Sequence, residues 1–194
     1  MSKIIDDDFI QGWHPRYDET EDDESEYQRL LAEVRLEIAQ NRTLSEPTFT
    51  DVLNWKSARV KGRIKWDEFG KYQNVIANSL LIPDEEKMEL LIDLVGFGAP
   101  VASTFLQFIH PSTFPIIDRR TVDVLRHFGC IQYKSTGIAQ YPAFKAAILK
   151  IHENCPKWSL REIDRALFSF HKQNPQLFGT LANPNQFVCK SKYC

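Results

Sequence analysis

Between its prolines the chain repeats one pattern. Apolar residues recur at helical spacing, and no stretch alternates apolar with polar as a half-buried strand does. From Ser25 to Gln40, the residues Leu30, Leu31, Val34 and Ile38 share one face, and Asn41 to Pro47 interrupts it. Phe49, Val52 and Trp55 mark a short helix over Thr48 to Lys56, and Phe69, Tyr72 and Ile76 mark another over Trp66 to Leu80. Pro83 opens a helix with Asp84, Glu85 and Glu86 in the first turn, where the helix dipole favours acids. Met88, Leu91, Ile92 and Val95 form its buried face. Pro100 opens the next helix, which ends at His110 before Pro111. Asp118 is placed as the N-cap of a helix that closes at Gly129. Pro142 opens a helix to Asn154, and Ser159 with Glu162 forms a capping box for a last helix reaching Gln173. The pattern predicts an all-α domain of about seven or eight helices.

At 194 residues the chain suffices for one ordinary domain. Its charge is unevenly spread. Of 26 acids and 24 bases, ten acids and two bases fall in residues 1–26, which leaves that segment at −8 and the remainder at +6. We therefore expect an acidic, flexible leader over 1–26, in which Phe9, Ile10 and Trp13 could dock locally. A helical domain follows over 27–175, then a polar tail over 176–194. The mildly basic domain suits a polyanion. No apolar run reaches the ~18–20 residues of a membrane span, and the N-terminus lacks the apolar core of a secretion signal, so a cytoplasmic protein is expected. Cys130, Cys155, Cys189 and Cys194 form no C-x-x-C pair and read as reduced thiols, with neither a disulfide framework nor a metal site.

The most informative stretch runs from Leu90 to Arg120. One helix meets a Gly96-Phe97-Gly98 turn and a second helix leaves at once. Glycines let the main chain turn tightly and approach a partner closely. The second helix begins with free N–H groups and a positive dipole end, and Ala99, at the expected N-cap, has no side chain to satisfy them. A DNA phosphate is the expected acceptor, in a contact independent of sequence. An ordinary helix-helix turn is the simpler reading of the same glycines.

Leu94-Val95-Gly96-Phe97-Gly98-Ala99-Pro100-Val101-Ala102-Ser103 resembles the hairpin of helix-hairpin-helix DNA glycosylases of the endonuclease III type. Phe114-Pro115-Ile116-Ile117-Asp118-Arg119-Arg120 resembles the segment that holds that family's catalytic aspartate. The resemblance is specific over about Leu90 to Gly129. It implies a two-lobed helical fold that grips double-stranded DNA through Gly96, Phe97, Gly98, Ala99 and Val101, and flips a nucleotide into a cleft. There Asp118 would stabilise the developing oxocarbenium ion or activate water. A plain N-cap role for Asp118 is compatible with this. The lysine of the bifunctional members falls on Pro100, so a monofunctional N-glycosylase is implied. With only Cys189 and Cys194 in the tail, no iron–sulfur cluster is expected. A monovalent cation at the hairpin main chain is the one cofactor the resemblance leaves open. The protein is read as a monomer, associated with the nucleoid or nucleus through its DNA.

Between Trp55 and Trp66, five cations are interleaved with the two tryptophans. Lys56, Arg59, Lys61 and Arg63 are candidates for phosphate contact, with the aromatics stacking a base. The alternative is a solvated cationic loop over inward-packed tryptophans. Arg119 and Arg120 are candidate phosphate ligands, or partners of Asp118 and Asp123. Arg161, Glu162, Asp164 and Arg165 read as an exposed helix face, with His171 and Lys172 as helix-end cations. Three functions remain: a glycosylase acting on an unknown base, a non-catalytic DNA-binding or adaptor module, and a helical protein-interaction domain without a DNA role.

Overall fold

In the computed structural model, which describes residues 4–20 and 24–178, the chain is all-helical. Nine α-helices appear among the described residues: α1 Asp7–Trp13, α2 Glu24–Asn41, α3 Glu46–Ser57, α4 Phe69–Ser79, α5 Asp84–Ile92, α6 Ala99–Ile109, α7 Arg119–His127, α8 Tyr141–Asn154 and α9 Leu160–Gln173. Short 3-10 turns follow α1 and α3 and precede α4 and α8. No helix among the described residues is long and apolar enough to cross a membrane.

The central element is α6. It is apolar around most of its circumference, and Ala99 and Val101 to Phe108 are all buried. It packs on α2, α3 and α5. Its polar residues are used internally. Ser103 Oγ accepts from the Ile117 main chain at 3.1 Å, and Gln107 Nε2 donates to Tyr27 OH at 3.3 Å and to Pro111 O at 3.1 Å. The bonds to Ile117 and Pro111 clamp the connector 111–117 onto α6, and Tyr141 OH holds its other side by donating to Pro115 O at 3.0 Å. The connector therefore delivers Asp118 to a set position.

The segment expected to be a flexible leader is built into the fold over its described residues. Asp6 caps α1 by accepting from Phe9 N at 2.9 Å, and Ile10 is fully buried. The Phe9 ring meets Phe128 and Phe170 at 5.2 Å each, and Trp13 meets Phe170 edge-on at 5.0 Å. Trp158 Nε1 donates to Asp7 Oδ1 at 2.8 Å. Apolar burial outweighs the acidic composition here: Asp6 is used as the cap, Asp7 is bonded to Trp158, Asp8 is exposed, and the apolar residues of α1 pack on α9. The tail beyond 178 lies outside the described residues, with Cys189 and Cys194; Cys155 is buried and Cys130 is exposed.

The turn between α5 and α6 is tight and crowded. Gly96 has φ +89°, and a Cβ there would lie 3.0 Å from Arg63 O and 3.0 Å from Ile64 Cδ1. The N-cap of α6 is Gly98, one residue earlier than expected, and its carbonyl accepts from both Val101 and Ala102 N–H at 3.0 Å. Tyr72 OH pins the turn from below by donating to Val95 O at 2.8 Å, and it accepts from Lys65 N at 3.1 Å. The α5–α6 turn and residues 63–65 thus share one set of contacts. Gly96→Ala should cost about 1–3 kcal/mol, from left-handed strain plus the collision with Arg63. The urea midpoint of the variant checks this; an unchanged midpoint would mean the turn is free to move.

Candidate functional site

A pocket of about 390 Å³ opens between the end of α3, the N-terminus of α7 and one face of α9. Asp118 stands at its edge. Its Oδ1 accepts from Thr121 N at 2.9 Å, and Thr121 Oγ1 accepts in return from the Asp118 main chain at 3.2 Å. This reciprocal cap fixes the carboxylate at the start of α7. Its Oδ2 lies 3.8 Å from Lys56 Nζ, with both side chains less than one-fifth exposed. Lys56 comes from the last turn of α3, so this pair joins the two segments singled out by sequence, the basic stretch and the aspartate segment.

Around the carboxylate stand Trp55, Tyr17 and Phe168, and the cations Lys56, Arg59, Arg119, Arg120, Arg161 and Lys172. Asp118 and Asp164 are the two acids of the lining, so six cations face two carboxylates. Such a concave, net-cationic surface focuses a field that attracts anions. Arg120 lies over the Phe168 ring at 4.8 Å and Lys172 over the same ring at 5.3 Å, which orients both heads at the mouth. Arg119 is exposed, with its Nε on Asp123 Oδ2 at 3.0 Å.

The floor is a buried ion cluster. Arg161 is only 6% exposed. Its guanidinium is held by Glu24 Oε2 at 2.8 Å and Asp164 Oδ2 at 2.6 Å, and lies over the rings of Tyr17 at 4.6 Å, Tyr27 at 4.5 Å and Trp55 at 5.2 Å. Burial pushes the Asp164 carboxyl up to about 6; the Asp118 charge adds to the rise, while Arg161 and Lys56 oppose it. The expectation that Arg161 and Asp164 lie on an exposed helix face is therefore corrected. They line a pocket, because Glu24 and the aromatic box supply partners far away in sequence. His171 is likewise buried, 3.7 Å from Asp123, and burial holds it below its ordinary range instead of leaving it as a helix-end cation.

The other sequence candidates distribute unevenly. The Phe97 ring is buried against Phe105 at 5.0 Å and stacks on Phe49 at 6.0 Å. Ala99 and Val101 are also buried, which leaves the main chain around the exposed Gly98 and the side chain of Val95, expected on the buried face of α5 but half exposed, as the accessible parts of this turn. The Ala99 N–H has no partner within its own helix. Two carbonyls of the turn, Leu94 and Val95, already accept from Phe97 N and Tyr72 OH, which leaves fewer oxygens for a cation there. Arg59 lines the pocket. Lys61 and Arg63 belong to the 3-10 turn Ala58–Arg63, outside the lining, and Arg63 lies against Gly96. Trp66 packs inward on Phe49 at 6.1 Å, whereas Trp55 both packs on Phe108 at 5.2 Å and borders the pocket. Among the described residues no group of three His, Cys, Asp or Glu is placed to hold a metal ion.

No family model, curated protein or solved structure matches the chain. Arg161→Met tests the floor, since it removes the guanidinium between Glu24 and Asp164 and leaves Glu24 to the more distant Arg165 Nε at 3.8 Å. It should destabilise the protein by about 3–5 kcal/mol, read from chemical denaturation. A loss below about 1 kcal/mol would mean that the cluster is open to water.

Proposed function

We propose that the chain is a DNA-binding protein that draws a single nucleotide into the Asp118 pocket and hydrolyses its N-glycosidic bond as a monofunctional glycosylase. The observation that carries this reading is a capped carboxylate beside an aromatic-walled pocket whose rim is cationic. Phosphates flanking an extruded nucleotide suit Arg59, Arg119, Arg120 and Lys172, and a base suits the aromatic wall that Tyr17, Trp55 and Phe168 form. A carboxylate held in place before the reaction suits the positive charge that develops on the sugar as the bond breaks. Lys56 keeps that carboxylate oriented. The main chain at Gly98 and Ala99 supplies a further, sequence-independent phosphate contact, and Pro100, at the second position of α6, carries no amine for a Schiff base.

The second reading is a DNA-binding module without chemistry. It is favoured by the full use of Asp118 in capping α7 and pairing with Lys56.

Single-turnover base release on duplexes carrying uracil, alkylated purines, oxidised bases or mismatches, each followed by alkali, separates the two. The glycosylase predicts alkali-dependent cleavage of one substrate, reduced about 10²-fold or more in Asp118→Asn. The module predicts salt-sensitive duplex binding and no cleavage of any substrate. Absence of binding at low salt rejects both.

A further inference from the structure

The pocket holds two carboxylates in unlike settings. Asp118 is capped at a helix N-terminus and lies beside Lys56. Asp164 lies deeper, on α9, with its side chain 12% exposed. The charged and titratable groups around it are Arg161 on its own helix, Tyr17 from the 3-10 turn His14–Thr20, Glu24 and Tyr27 from α2, Lys56 from α3 and Asp118 from α7. Only its Oδ2 is engaged by Arg161, and the same side chain lines the open pocket. A carboxyl group whose proton affinity burial has raised can do acid work in a pocket that it shares with a second carboxyl group.

We propose that Asp164 is the second catalytic group of the pocket, delivering a proton to the departing base while Asp118 serves the sugar. This rests on the glycosylase reading above. In the step, the C1′–N bond breaks and its electron pair leaves with the base. The Asp164 carboxyl gives its proton to that base and becomes a carboxylate. Water forms the new C1′–O bond, and its proton passes to the Asp118 carboxylate. Exchange with solvent returns both groups to their starting states. Arg161 serves both stages: it keeps Asp164 from retaining its proton too strongly, and it balances the charge once the proton has gone. The burial that raises Asp164 makes the protonated form available near neutral pH, and Asp118 reinforces this.

Two measurements on the full chain test the assignment. The first compares binding of a duplex carrying a pyrrolidine abasic analogue, cationic at the sugar, with its neutral tetrahydrofuran counterpart. Wild type should favour the cation about tenfold at pH 8, with the preference shrinking as pH falls through about 6 and Asp164 takes up its proton. Asp164→Asn should remove that pH dependence while keeping the share owed to Asp118; Asp164→Glu should restore it. The second follows base release against pH on the substrate found above. Wild type should slow as pH rises through about 6, and Asp164→Asn should be about 10²-fold slower with that limb flattened. Duplex binding with unchanged pH behaviour in Asp164→Asn overturns this proposal alone. Binding without any preference for the cation removes the Asp118 share as well, and overturns the glycosylase reading together with this assignment. Failure to bind either duplex overturns the glycosylase reading and this assignment with it. Equal unfolding midpoints of wild type and Asp164→Asn show that a lost limb is not lost folding.

Discussion

A guanidinium enclosed by aromatic rings organises this molecule. Arg161 cannot be buried bare, because the desolvation of an unpaired cation would exceed what the surrounding packing supplies. It therefore requires Glu24 at the start of α2 and Asp164 one turn along α9, and it takes Trp55 at the end of α3 as a wall. Two consecutive helices near the start of the chain and one near its end are brought to one point by a single charge. The pocket is the space left above that point. Its polarity follows from the same arrangement: the acids needed below leave the remaining cations of α3, α7 and α9 facing outward.

Much of the fold is legible because it is written in local chemistry. Ser159 and Glu162 form the expected capping box, Asp118 caps α7, and Gly129 adopts φ +75° just past its end. Each of these depends on residues within four positions of one another. The α9 face was misread for the opposite reason. Arg161, Asp164, Phe168 and Lys172 follow one another by three and four residues, a spacing shared by any solvated polar stripe, and the partner that buries Arg161 lies 137 positions earlier. An aromatic residue within a charged stripe, Phe168, was the available hint that the stripe borders a cavity. The pairing of Lys56 with Asp118 had no local signature either.

The α5–α6 turn shows how the two halves of the proposed DNA surface are held in register. Gly96 accepts the Arg63 main chain against its Cα, and Tyr72 ties Val95 to Lys65. The 3-10 turn that carries Lys61 and Arg63 begins directly after the α3 segment that carries Lys56. The exposed Gly98 and the pocket rim are therefore linked through a short, stiff path instead of a flexible loop.

The packing of α1 against α9 changes what counts as removable. An acidic segment of this composition invites trimming as a detachable appendage. Here it carries Phe9, Ile10 and Trp13 over the outer face of the helix whose inner face lines the pocket, and Glu24 lies just beyond it. A chain shortened to residue 27 would expose Phe128 and Phe170 and strip Arg161 of a countercharge in the same cut. The unit that keeps Arg161 paired therefore includes this segment as far as Glu24, and Asp18 within it reaches Arg165 on the same helix at 3.3 Å.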